Sequence, residues 1–158
     1  MSDYVPYNNG NIKEENGQYV LTYAGKYEEY QIRYWFTSET GGLNYSVVFF
    51  DSEKVGEDDL YRAFDEMGYS FVMSGDGYSY YKTKDNKSYV YVSMNNQNYW
   101  FVRYSDASST SAPSRVMKQD LPTVAPKQQN GMTSKKIEKA NVVKALRQCE
   151  DSMKFYFK

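Results

Sequence analysis

Aromatic side chains crowd the first two thirds of this 158-residue chain and then stop. Seventeen of the 18 tyrosines, both tryptophans and six of the eight phenylalanines stand before residue 105. Large rings are what a short chain uses to bury area, so the core must be built from residues 1–104. Ser105 to Asn130 holds three of the four prolines, runs such as Ser108-Ser109-Thr110-Ser111, and no aromatic residue at all. That composition reads as an extended linker. Charge divides at the same place. Residues 1–104 carry 9 basic against 15 acidic side chains, a net −6, and residues 105–158 carry 10 against 5, a net +5. Three segments are therefore expected: a tyrosine-rich α+β domain over 1–104, a flexible or extended linker over 105–132, and a basic amphipathic helix over 133–158.

Within the first segment, turn signals recur at short intervals, as in a mainly antiparallel sheet. Strands are predicted at Tyr19–Tyr23, Tyr27–Thr37, Leu43–Phe50, Tyr69–Ser74, Tyr78–Thr83, Ser88–Met94 and Tyr99–Tyr104. Val47-Val48-Phe49-Phe50 is apolar without alternation, the pattern of a strand covered on both faces. Between the third and fourth strands the period changes. Leu60, Ala63, Phe64 and Met67 form one helical stripe. Glu57, Asp58 and Asp59 favour the first turn of that helix, and Gly68 suits the position just past its end. The expected architecture is a sheet of six to seven strands with one packed helix, followed by the linker and a C-terminal amphipathic helix.

Four-residue loops at Lys84–Lys87 and Asn95–Asn98 set the expected registers. Lys82 then opposes Tyr89, Tyr80 opposes Tyr91, Ser93 opposes Trp100 and Tyr89 opposes Tyr104. One face carries Tyr81, Val90, Val92, Met94 and Phe101, which the helix stripe is expected to cover. The other carries Tyr78, Tyr80, Tyr89, Tyr91, Trp100 and Tyr104, interleaved with Lys82 and Ser93. Either a second layer holding Tyr30, Ile32, Tyr34 and Phe36 covers this face, or it is a recognition platform. As a platform, its six rings are candidate binding residues for a protein, a carbohydrate or a single-stranded nucleic acid.

Residues 44–94 resemble part of an RNA-recognition motif. Asn44–Phe50 matches its first strand, residues 57–68 its first helix, and Lys87-Ser88-Tyr89-Val90-Tyr91-Val92-Ser93-Met94 its basic-aromatic strand. The resemblance implies base stacking on that strand. The chain departs from the pattern at Ser88, where the family has glycine. It also has an added strand at Tyr78–Thr83 and no second helix after Met94. The net −6 of this segment opposes phosphate, so nucleic acid is not the expected partner.

The second helical stripe is Val142, Leu146, Cys149 and Met153, with Ile137 and Ala145 beside it and lysines around it. An isolated helix of this kind is marginal in water and must dock. Docking in cis on the acidic body and docking in trans on a partner or second subunit both fit. Leu146, Met153, Phe155, Tyr156 and Phe157 are the expected anchors of the trans arrangement. Peripheral contact with an anionic membrane is a third possibility.

No histidine is present and Cys149 is the only cysteine. Ser-His-Asp and Cys-His catalysis, histidine-containing zinc sites and internal disulfides are thereby excluded. Asp51, Glu53, Glu57, Asp58 and Asp59 form the one dense carboxylate cluster, which helix N-terminal charge largely explains. No enzyme activity, metal or cofactor is expected. No apolar run is long enough for a transmembrane helix, and no secretory pattern opens the sequence. That points to the cytoplasm or a virion, although a mature secreted domain lacking its signal reads the same way. The expected function is a non-enzymatic protein-interaction or assembly module, with ligand binding on the tyrosine face as the alternative.

Overall fold

A computed structural model describes residues 4–6, 13–15, 18–25, 30–36, 43–107 and 139–156. The chain is α+β. Nine strands and two helices follow in the order β1 (Tyr4–Pro6), β2 (Lys13–Glu15), β3 (Gln18–Gly25), β4 (Tyr30–Phe36), β5 (Leu43–Asp51), α1 (Glu57–Glu66), β6 (Ser70–Gly75), β7 (Tyr78–Lys82), β8 (Ser88–Met94), β9 (Tyr99–Asp106) and α2 (Lys139–Tyr156). Every strand pairing is antiparallel, in one sheet ordered β1-β3-β4-β5-β9-β8-β7-β6, with β2 also on β3. Short β1 and β2 extend the seven strands expected from the sequence. Ser105 and Asp106, expected as the start of the linker, pair with β8 as the end of β9; residues 108–138, with the rest of the linker and Ile137, lie outside the described residues.

The unbroken apolar run sits where its composition demands. β5 is flanked by β4 and β9 at the middle of the sheet. Val48 and Phe50 face the helices while Val47 and Phe49 face away, and none exceeds 1 % exposure. From β5 the chain crosses through α1 to the far edge of the sheet. It then returns as a β6-β7-β8-β9 meander until β9 closes on β5.

Helix α1 buries Leu60, Ala63 and Phe64, as its stripe predicts. Its end is a Schellman motif. The amide of Tyr69 donates to Phe64 O at 3.0 Å and that of Gly68 to Asp65 O at 3.1 Å, with Gly68 at φ 79°. A side chain there would be strained by that φ.

One β8–β9 turn corrects the expected facing of the sheet. The loop is effectively three residues long rather than four. Asn95 N–H donates to Tyr99 O and Asn98 N–H to Asn95 O, with Asn98 at φ 61°. The Asn95 side chain clamps this turn by accepting from the amides of Gln97 and Tyr99, at 2.9 and 3.0 Å. Ser93 therefore opposes Phe101, Met94 opposes Trp100 and Val90 opposes Tyr104. A one-residue change in register turns a whole strand over. Trp100, Val102 and Tyr104 point to the helix face, and Phe101 joins the tyrosines. The β7–β8 register, with Lys82 opposite Tyr89 and Tyr80 opposite Tyr91, is as expected.

The two-layer alternative is also corrected. β4 belongs to the same sheet, and its Tyr30, Ile32 and Tyr34 join the helix-side core with Leu60, Phe64 and Leu146. Both helices pack on that one face.

Candidate interaction surface

The tail is the first place to look for a partner site, and its apolar stripe is already occupied. Val142, Ala145, Leu146 and Cys149 are fully buried and Met153 nearly so, all within the helix-side core. The Ser46 hydroxyl donates to Cys149 O at 2.8 Å, and the Ser152 hydroxyl reaches Tyr34 Oη at 3.3 Å. Docking is thus in cis. α2 packs on β5 and β9 beside α1, and the two helices together make the layer. Leu146 and Met153, expected as partner anchors, are core residues instead. Phe155 and Tyr156 close the helix, with side chains outside the description, and Phe157 lies beyond the described residues.

A hydroxyl relay fastens α2 to the sheet. Tyr69 Oη donates to Glu150 Oε1 at 2.7 Å and lies 2.7 Å from Tyr104 Oη, which therefore donates to it. Burial first, then the charge of neighbouring groups, pushes both phenols above their ordinary 10.0. Burial likewise pushes the Cys149 thiol above its ordinary 9.0. The fold holds all three groups protonated, whereas the unfolded chain releases these protons at the ordinary values. The unfolded state therefore binds fewer protons at alkaline pH, and stability falls as pH rises. Urea midpoints are expected to stay level up to about pH 8.5 and to decline beyond, more steeply above about pH 10. Tyr104→Phe should make that second decline shallower. A level midpoint through the tyrosine range would contradict the relay.

The opposite face is an aromatic–guanidinium cluster. Val47, Phe49, Tyr80, Tyr91 and Phe101 are buried, with Trp35, Tyr45, Tyr78, Tyr89 and Tyr99 packed half-buried around them. The Arg103 guanidinium lies 4.9 Å from the Tyr45 ring centre and 5.0 Å from that of Tyr91, and its Nη2 donates to Tyr80 Oη at 3.3 Å. Arg33 lies over Trp35 and Phe49, at 5.5 and 5.2 Å. Such contacts contribute about 0.5–2 kcal/mol each.

Of the six tyrosine-face candidates, only Tyr78 and Tyr89 share this face and keep partial exposure. Tyr80 and Tyr91 have no free ring face, being 2 % and 0 % exposed. Trp100 and Tyr104 are on the other side, where Trp100 Nε1 donates to Val55 O at 2.9 Å. The stacking strand implied by the RNA-recognition resemblance is likewise compromised, because Tyr91 is enclosed and β9 separates β8 from β5. In the acidic cluster, Asp51 Oδ1 accepts the Glu53 amide at 3.0 Å to close a turn, and Glu57, Asp58 and Asp59 occupy the first turn of α1.

What the sequence did not single out is the β6 edge. β6 pairs with β7 alone among the described residues. Its Phe71 and Val72 are exposed large hydrophobic side chains, at 59 % and 39 %. The β6–β7 register shifts between Phe71 and Met73, so Val72 sits at a bulge. Asp76-Gly77, with Gly77 at φ 81°, makes the tight turn that holds the hairpin. Beside this edge an open cleft of ≈ 590 Å³ runs along α1. Tyr61, Phe64, Tyr69, Phe71 and Tyr81 line it, with Asp58, Arg62 and Asp65 along its rim. The rings form a graded series from core to surface. Phe64 meets Tyr69 at 5.4 Å and Tyr81 at 5.1 Å, and Tyr81 meets exposed Phe71 edge-to-face at 5.7 Å. Burial raises the Tyr61 and Tyr81 phenols, so at neutral pH they are hydrogen-bonding hydroxyls rather than anions.

The chain matches no protein-family model, no curated protein and no solved structure. No helix among the described residues is long and apolar enough to cross a membrane.

Proposed function

We propose that the chain is a non-enzymatic protein-interaction module whose contact surface is the β6 edge and the adjoining α1 cleft. The observation that carries this reading is the exposure of Phe71 and Val72 on a strand with one side of its backbone unpaired among the described residues. An open edge presents a row of amide and carbonyl groups that another strand can pair with, and natural folds usually guard it with lysine or proline. Ser70-Phe71-Val72-Met73-Ser74-Gly75 has neither. Main-chain hydrogen bonds along such an edge supply affinity, and a neighbouring aromatic pocket supplies selectivity.

Panning a random peptide library against the full chain tests this reading. Enrichment of binders is expected, with binding lost in Phe71→Asp and in Val72→Lys but kept in Asn96→Asp on the distant β8–β9 loop. Thermal melts of each variant show whether loss of binding accompanies loss of fold; two exposed positions keep the test open if one variant is unstable. Absence of enrichment, or binders indifferent to both edge substitutions, would overturn the reading.

A further inference from the structure

Resting on that reading, we propose that the occupant of the β6 edge is an extended, positively charged segment of another protein. It adds to the sheet as a further strand and turns alternate apolar side chains toward the α1 cleft. Three observations lead there.

The first is the chemistry of the strand. β6 carries no charged side chain, so an incoming strand meets backbone and apolar surface. Its bulge at Val72 is the single guard the edge retains. A bulge twists an edge and limits how long a partner strand can follow it. That favours a short segment over a whole sheet.

The second is the position of the cleft. Phe71 and Tyr81 are cross-strand partners on the helix side of the sheet. Successive side chains of a strand alternate between faces. A strand laid outside β6 therefore turns every second side chain to the helix side, with one of them beside Phe71 at the mouth of the cleft.

The third is charge. On the cleft rim Asp58 and Asp65 stand exposed against Arg62, and exposed Glu57 lies close enough to Tyr61 to act on its phenol. A second copy of this chain, pairing β6 to β6 about a two-fold axis, would set the same acidic helix beside this one on the same face. Like-charge juxtaposition at an interface is unfavourable, and opposite charge speeds and favours encounter. The rim selects a basic segment and discriminates against self-association.

The test uses the full chain and a nine-residue capped valine–lysine peptide, with valine and threonine alternating in its centre and lysines at both ends, where they can reach the α1 carboxylates; the controls are a counterpart with glutamates in place of the lysines and a glycine–lysine peptide of equal charge with the valines replaced. Fluorescence anisotropy is expected to show binding of the valine–lysine peptide, with both controls weaker by about tenfold or more. Amide chemical shifts should move along residues 70–75 and α1. N-methylation of one alternate set of peptide amides should abolish binding, while methylation of the other set leaves it intact, because only one set faces the edge. Equal binding of the glutamate or glycine peptide, indifference to both methylation patterns, or no binding would overturn the proposal. So would sedimentation showing a dimer of the full chain that Val72→Lys dissociates. Library binders that need Phe71 yet carry no basic residues would overturn the charge assignment while leaving the interaction-module reading standing. Absence of any library binder would remove both.

Discussion

Deletion of residues 107–158 is expected to leave a chain that no longer unfolds cooperatively. The deletion removes α2, whose Val142, Leu146 and Met153 are buried in the helix-side core. Each such side chain contributes about 1.5–3 kcal/mol when fully enclosed. The loss also opens the core around Tyr30, Ile32, Tyr34, Val48 and Phe50, which α2 shares. Together these effects rival the roughly 5–15 kcal/mol by which a whole domain is stable. Loss of the hydrogen bonds that join Ser46 and Tyr34 to α2 and interruption of the Tyr69–Tyr104–Glu150 relay add to the damage. Leu146→Ala in the full chain makes the milder comparison, with an expected cost of about 2–5 kcal/mol by urea denaturation. A truncated protein that melts cooperatively near the temperature of the full chain would contradict docking of α2 as part of the core.

Phe49→Ala is expected to cost about 3–5 kcal/mol, as large as a substitution on the helix-covered side. Phe49 is 0 % exposed, meets Phe101 edge-to-face at 5.6 Å and lies under the Arg33 guanidinium. A loosely covered recognition platform would tolerate loss of that ring for about 1 kcal/mol or less, since surface substitutions seldom exceed that. Arg33→Met keeps much of the aliphatic packing and should cost less than Phe49→Ala. Equal, small costs for both would show that the aromatic face is not a second core. The distinction matters for function, because rings packed into a second core are not free to bind.

The central β5 run was legible in the sequence because four consecutive apolar residues fit only a strand buried on both faces. α1 was legible too: its stripe, its acidic first turn and Gly68 all point to the same ten residues. The facing of β9 was not. Asn95 uses its side-chain oxygen to fold the turn, shortening the loop by one residue and carrying Trp100 and Tyr104 to the other face. An asparagine-rich loop announces a turn without announcing its parity. The place of β4 was ambiguous for a related reason, since alternate Tyr30, Ile32 and Tyr34 read alike in the same sheet or a second one. The stripe of α2 specified that it must dock without specifying where. The β6 edge was hidden because Phe71 and Val72 look like core residues until topology puts their strand at the end of the sheet. The crossover through α1 does that, and no local pattern encodes it.

The proposed function requires that β6 be open to another strand. Amide hydrogen exchange on the full chain, with and without a peptide selected by panning, tests it most directly. In the free protein, the amides of residues 70–75 that point away from β7 should exchange far faster than those of β5 and β9. With peptide bound, they should slow by about tenfold or more while residues 88–106 stay unchanged. Protection that appears on the aromatic face or along α2 instead, with β6 still exchanging freely, would rule out strand addition at β6.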